Sequence, residues 1–180
     1  MSSRRIRSRG PAAVLLTLAL FGALAACSGD QPGDTPLPDV SDALEGLPTA
    51  PDPCPLITTD EATAAFGSPA GACESDGDQF VQLARIRAVE DGRGQIDLTI
   101  SVGGQAEFDQ LRSEAEAAND EFRELDLGDA AFVHSPFSIE VVVLKGDLVL
   151  SVRLGGSAFL PDEAATISLA TTATGRLTPA

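Results

Sequence analysis

The three cysteines at positions 27, 54 and 73 are the residues whose types and spacing most clearly invite chemistry. Cys27 closes the run Leu24-Ala25-Ala26-Cys27, in which two small residues lead directly into a thiol. Four arginines (Arg4, Arg5, Arg7, Arg9) open the chain, and a sixteen-residue apolar run from Pro11 to Ala26 follows, interrupted by Thr17 and Gly22. A bilayer span needs about 20 residues, so this length and these flanks suit an export signal. Cys54 and Cys73 are the remaining even pair, which in an oxidising compartment reads as a disulfide. The competing reading, a metal site, has only His134 to recruit.

The other chemistry-bearing residues carry weaker patterns. His134 is the single histidine, and Ser135 follows it, but no G-x-S-x-G elbow accompanies them. Glu74, Asp76 and Asp78 start like a calcium loop. The pattern then fails, because Gly77 is misplaced and Arg85 stands at the twelfth position. These acids read as a solvated turn within an exposed loop from Gly71 to Asp78. Gly103-Gly104 and Gly155-Gly156 precede helical stretches without a phosphate-cradling spacing, and read as strand breakers. Arg85 and Arg87, two apart on a strand, share one face. They are candidates for a carboxylate or phosphate ligand, against the plainer reading that they pair with acids across a sheet. The sequence therefore presents no catalytic residues, no metal ligands and no cofactor motif, and reads as a non-enzyme.

The Leu24–Cys27 run resembles the bacterial lipobox. That likeness implies a lipid thioether on Cys27, palmitate among its acyl chains, and removal of residues 1–26 as a lipoprotein signal peptide. Acyl chains contribute ~0.8 kcal/mol per buried methylene, and two or more anchor stably. The expected location is the extracytoplasmic face of the cell membrane. The residues after Arg4-Arg5 match twin-arginine export poorly, and the export route stays open. Residues 27–53 form a Pro- and Asp-rich tether with six prolines and six acids from Ser28 to Pro53, a composition that cannot fold alone. Within it Val40, Leu44 and Leu47 could line one short helical face.

The charge balance excludes partners. Full-length charge is −15, and without the four early arginines eight basic residues face 27 acidic ones. Nucleic acid is therefore an unsuitable partner, since phosphate backbones need a basic footprint. The chain contains no Trp or Tyr, which argues against an aromatic sugar or base-stacking platform. Eleven arginines to one lysine, with abundant Ala, Gly, Asp and Pro, point to a GC-rich, actinobacterial source.

Residues 54–180 read as one α+β domain. Thr58 and Glu61 make a capping box, and Gly67 then Pro69 end a short helix over 59–66. Strands are expected at 80–89, 96–102, 122–127, 130–134, 139–145 and 148–154. A turn falls at 91–94, and Gly146-Asp147 joins the last two strands as a two-residue hairpin. One longer helix covers 106–118, with Phe108, Leu111 and Ala115 inward. A second starts at Pro161, with Asp162 and Glu163 in its first turn and Ile167, Ala170, Thr174 and Leu177 as its buried stripe. The expected architecture is an antiparallel sheet of about five to six strands, with two longer helices packed on it and the short helix stapled by the disulfide. Residues 94–106 and 146–158 also echo each other at an offset of 52, through a duplication or through one local problem solved twice.

Asp52-Pro53-Cys54-Pro55-Leu56-Ile57-Thr58, with Glu61-Ala62 and Gly67 following, resembles the start of an actinobacterial lipoprotein family of unknown function. Leu127-Gly128-Asp129-Ala130-Ala131-Phe132, Val143–Val152 and the terminal helix look like the extracellular sensor domain of PknH-type receptor kinases and related mycobacterial lipoproteins. The likeness implies a sheet with flanking helices, a cysteine pair and a binding cleft without catalysis. No ligand-contacting residue carries over, because this chain has fewer cysteines than the kinase sensors. The expected task is that of a non-catalytic binding or sensor module of the cell envelope. A carrier of hydrophobic envelope lipids is the alternative, and an envelope hydrolase the weaker one. Its expected partners are the membrane, through the covalent lipid, and an envelope small molecule, lipid or protein.

Overall fold

The computed structural model describes residues 48–89, 94–118, 121–135, 138–156 and 162–179. The signal, Cys27, the tether up to residue 47, turn residues 91–93 and Pro161 lie outside the described residues. Leu44–Ala180 forms one compact unit. Its elements run in the order 3-10 turn Cys54–Leu56, α1 Thr59–Phe66, β1 Glu74–Gly77, β2 Val81–Arg87 and β3 Gln95–Ser101. These are followed by α2 Gly104–Ala117, β4 Phe122–Leu125, β5 Ala130–His134, β6 Ile139–Lys145, β7 Leu148–Gly155 and α3 Glu163–Arg176.

All strand pairings are antiparallel, in a seven-stranded sheet of order β1-β2-β3-β7-β6-β5-β4. The α+β expectation holds, but the strand count of five to six falls short. The seventh strand is β1, inside the stretch 71–78 that the sequence presents as an exposed loop. Its residues Glu74-Ser75-Asp76-Gly77 are all exposed, so no apolar alternation marks it. Backbone pairing with β2 makes it a strand, and its acidic side chains suit a sheet edge that must not recruit other chains. Asp78 closes the β1–β2 turn by accepting the N–H groups of Phe80 and Val81 at 2.8 and 2.9 Å.

Alternation along the central strands sorts the side chains onto two faces. On one face Ile96, Leu98 and Ile100 of β3 meet Leu154, Val152 and Leu150 of β7, all fully buried. α3 covers this face with Leu169, Ala170, Ala173 and Leu177, and α1 and the 3-10 turn join it. Of the α3 stripe read from the sequence, Ala170, Thr174 and Leu177 are buried, while Ile167 is only partly so and Thr166, Leu169 and Ala173 join the buried face. Asp162 caps the helix by accepting the Ala164 N–H instead of lying in its first turn. On the opposite face α2 packs Phe108 and Ala115 against Phe132, Val142, Leu144 and Val149. The two helices that follow the echoed strands thus sit on opposite faces, so the echo is confined to the strands and their glycines.

Specific polar ties close the ends. The capping box at Thr58 and Glu61 forms as the sequence predicts, and Gly67 ends α1 at φ 67°. Gly146 takes φ 61° in the two-residue hairpin. The lone lysine, Lys145, donates to the C-terminal carbonyls Thr174 and Leu177 at 2.7 and 2.5 Å, a favourable place for a cation. Arg176 grips both oxygens of Glu61 at 2.7 Å and the Leu56 carbonyl at 2.9 Å, fastening the last helix to the first. Folded contacts begin slightly before Cys54, since the Ala50 N–H donates to Gln79 O at 2.8 Å. Core, disulfide and this ion pair all close within residues 48–179, so the unit carries its own folding determinants.

Cys54 and Cys73 are disulfide-bonded across 19 residues. Replacing both by Ser should lower unfolding free energy by about 3 kcal/mol, the loop-closure value for that length, read from urea denaturation. Arg176, followed by the Thr58 backbone, holds the Glu61 carboxyl down from 4.5 to about 2. A depressed folded-state pKa stabilises fully above 4.5 and loses its effect as pH falls towards about 2. Glu61→Gln should flatten the acid limb of the stability profile in that window. At neutral pH it should cost about 1–2 kcal/mol, because both partners are about one-third exposed and screened.

Candidate functional site

The helix-covered parts of the sheet are filled, and the part α2 does not reach is where polar side chains gather. α2 lies over β6 and β7, while the same face of β2 stands open with Val81, Leu83, Arg85 and Arg87 exposed. Cross-strand register carries one row over all seven strands on this face: Glu74, Arg85, Asp97, Arg153, Glu140, His134 and Phe122. The charges alternate in sign from the β1 edge to β6, and each residue stands directly opposite a favourable neighbour.

Asp97 is the hub of the row. It accepts from Arg85 Nε at 2.8 Å, Arg153 Nη2 at 2.9 Å and Gln95 Nε2 at 2.8 and 2.9 Å. Burial alone would raise its carboxyl pKa, but these donors outweigh burial and hold it below the usual range. In return the Asp97 hydrogen bond and charge raise the Arg85 pKa further. Arg87 Nη1 reaches Glu74 Oε2 at 3.5 Å. Both arginines singled out in the sequence therefore pair with acids. Arg85 also joins Leu83, Asp97, Thr99 and Arg153 around a shallow depression of about 280 Å³, rimmed by Glu74 and Asp76.

Glu140 sits between Ser151, whose hydroxyl donates to it, and His134, whose Nε2 lies 3.6 Å away. Burial pushes the Glu140 carboxyl up, but the neighbouring His134, the Ser151 hydroxyl and the charge of Arg153 bring it below its ordinary value. The order Ser–Glu–His places a carboxylate where an activated serine needs the imidazole. Ser135 follows the end of β5 and lines a different depression, with Arg123 and Glu163. Gly104, the first residue of α2, takes φ 53°, and its N–H donates to Asp147 O at 3.1 Å. The left-handed conformation accounts for Gly104, whereas at Gly103 a Cβ would collide with the Glu107 side chain. Among the described residues no group of three or more His, Cys, Asp and Glu could hold a metal ion. No helix among them is long and apolar enough to cross a membrane.

Asp97, Arg153, Glu140 and Ser151 escaped the sequence reading. Their signal was the polar half of each alternating strand. What makes them a site is the pairing of β3 with β7, which sequence distance conceals.

Comparison with known proteins finds no matching family model, no matching curated protein and no matching solved structure. The geometry of the row is therefore the ground on which function is argued.

Asp97→Ala should leave two guanidinium groups side by side without their shared acid. We expect a loss of about 1–2 kcal/mol, kept modest by the half-exposed arginines. Arg85→Ala alone should cost less than Asp97→Ala, because an exposed ion pair contributes little. Chemical denaturation of both variants checks the ranking, and an equal or reversed order would contradict the hub role of Asp97.

Proposed function

We propose that this protein is a lipid-anchored, non-catalytic binding module on the outer face of the cytoplasmic membrane, and that the uncovered half of its sheet is the recognition surface. One observation carries the reading. A sheet face covered by a helix over β6 and β7 is left open over β2, where it presents a bordered depression and an ordered row of charges. A depression that combines apolar lining, here Leu83, Ala84 and Leu98, with a few positioned polar groups suits recognition. The disulfide supports an oxidising compartment, outside the cytoplasm. The lipobox-like run at Cys27 supplies the mooring, and the Pro- and Asp-rich tether the reach.

The alternative of a lipid carrier needs an apolar chamber between sheet and helices. Between the sheet and α3 that space is taken by Leu169, Ala170, Ala173 and Leu177 packed on the buried strand residues. The hydrolase reading needs a base beside a nucleophile, and Glu140 intervenes between Ser151 and His134.

Two measurements test the proposal together. Metabolic palmitate labelling should mark the wild-type chain and miss Cys27→Ala, and labelling of neither would remove the anchor. A soluble envelope extract added to the isotopically labelled unit should shift amide resonances around Leu83, Thr99 and Arg153. Shifts confined to the α3 face, or none at all, would place recognition elsewhere.

A further inference from the structure

The large apolar side chains that stand out in solvent among the described residues are Phe80, Val81, Leu83 and Val89, all on or beside β2. Leu83 is 49% exposed and Val89 64%. Concentration of such residues on one strand marks an interaction site, where scattered ones would not. Arg85 and Arg87 stand on the same face of that strand, in an otherwise acidic protein.

A second observation says what the site is built to take. Arg85 and Arg153 approach Asp97 from either side, Arg85 through Nε and Arg153 through Nη2. A guanidinium carries five N–H donors, so each arginine keeps donors that Asp97 does not use. Asp97 thereby acts as a holder that brings two cationic forks to the rim of one depression. A bare anion is poorly served here. The chain carries −15 overall, Glu74 and Asp76 stand on the same rim, and Asp97 already offsets one of the two guanidinium charges. Leu83, on the next row, offers the apolar contact that would offset this repulsion.

Resting on the binding reading above, we propose that the depression holds a single-chain amphipathic anion. Its phosphate or carboxylate head takes the Arg85 and Arg153 donors that Asp97 leaves unused, on the side turned away from that carboxylate, and its apolar stem runs over Leu83 and Val81. The volume of about 280 Å³ accommodates a head and the first methylenes, and the exposed strand carries the rest. The acidic rim and net charge disfavour an anionic bilayer surface, whose field acts over a Debye length, more than a single molecule.

The test uses the compact unit, residues 44–180, labelled with 15N. The probe is dodecyl phosphate, kept below its micelle concentration. We expect saturable shifts at Leu83, Thr99 and Arg153, and no saturation with inorganic phosphate. Arg153→Gln and the exposed-site change Leu83→Asp should each weaken binding by about tenfold or more. Laurate in place of dodecyl phosphate distinguishes a carboxylate from a phosphate head. The proposal is overturned if neither amphiphile saturates, if both variants bind like wild type, or if only anionic phosphatidylglycerol vesicles bind. Envelope extract shifting this face while both amphiphiles fail would reject the ligand class and keep the binding reading. Silence from extract and amphiphiles alike would reject both.

Discussion

The antiparallel register of β3 against β7 is the constraint from which the rest follows. Seven consecutive pairs, from Gln95–Gly155 to Ser101–Val149, join the two halves of the chain at the centre of the sheet. Because side chains alternate along a strand, this pairing places Ile96, Leu98 and Ile100 beside Leu154, Val152 and Leu150. The same pairing sets Asp97 against Arg153 on the other side. A slip of one residue would carry the apolar set into solvent and the charges into the core. Core and charged row are therefore two faces of one register.

Each face is finished differently. α3 closes the apolar side, fastened by Lys145 on its C-terminal carbonyls and by Arg176 on Glu61. The N-terminal helix, the disulfide and the last helix thus form one tied end. The other face is covered by α2, whose inward Phe108 meets Phe132 edge-on. That partial cover separates a buried aromatic patch from an open polar row. The open half is tolerated because its charges satisfy one another, with Asp97 engaged by three side chains. Surface ion pairs contribute little individually. Their value here lies in fixing the arginines in place.

Some of this was legible beforehand. The α1 boundaries, the capping box, the β6–β7 hairpin and the apolar alternation in β3 are local, each written in a few consecutive residues. β1 was not legible, since an edge strand with both faces in water carries no alternation. In α3 the sequence marked Ala170, Thr174 and Leu177, but Leu169 and Ala173 joined the buried face because packing against the sheet sets which side of a helix turns inward. The spacing of Arg85 and Arg87 is visible in the sequence, but the pairing of Arg85 with Asp97, and the sharing of that acid with Arg153, follow only from strand order.

The sequence by itself determined the α1 capping box, the β6–β7 hairpin turn, the cysteine pair, the acidic balance and the lipobox-like run, because each depends on residue type and near neighbours. The tertiary structure decided which strands lie side by side, which helix covers which face and where the cover stops. Those outcomes depend on register between residues some fifty positions apart, Asp97 and Arg153 among them, and loop-closure geometry over such distances leaves no mark in local composition.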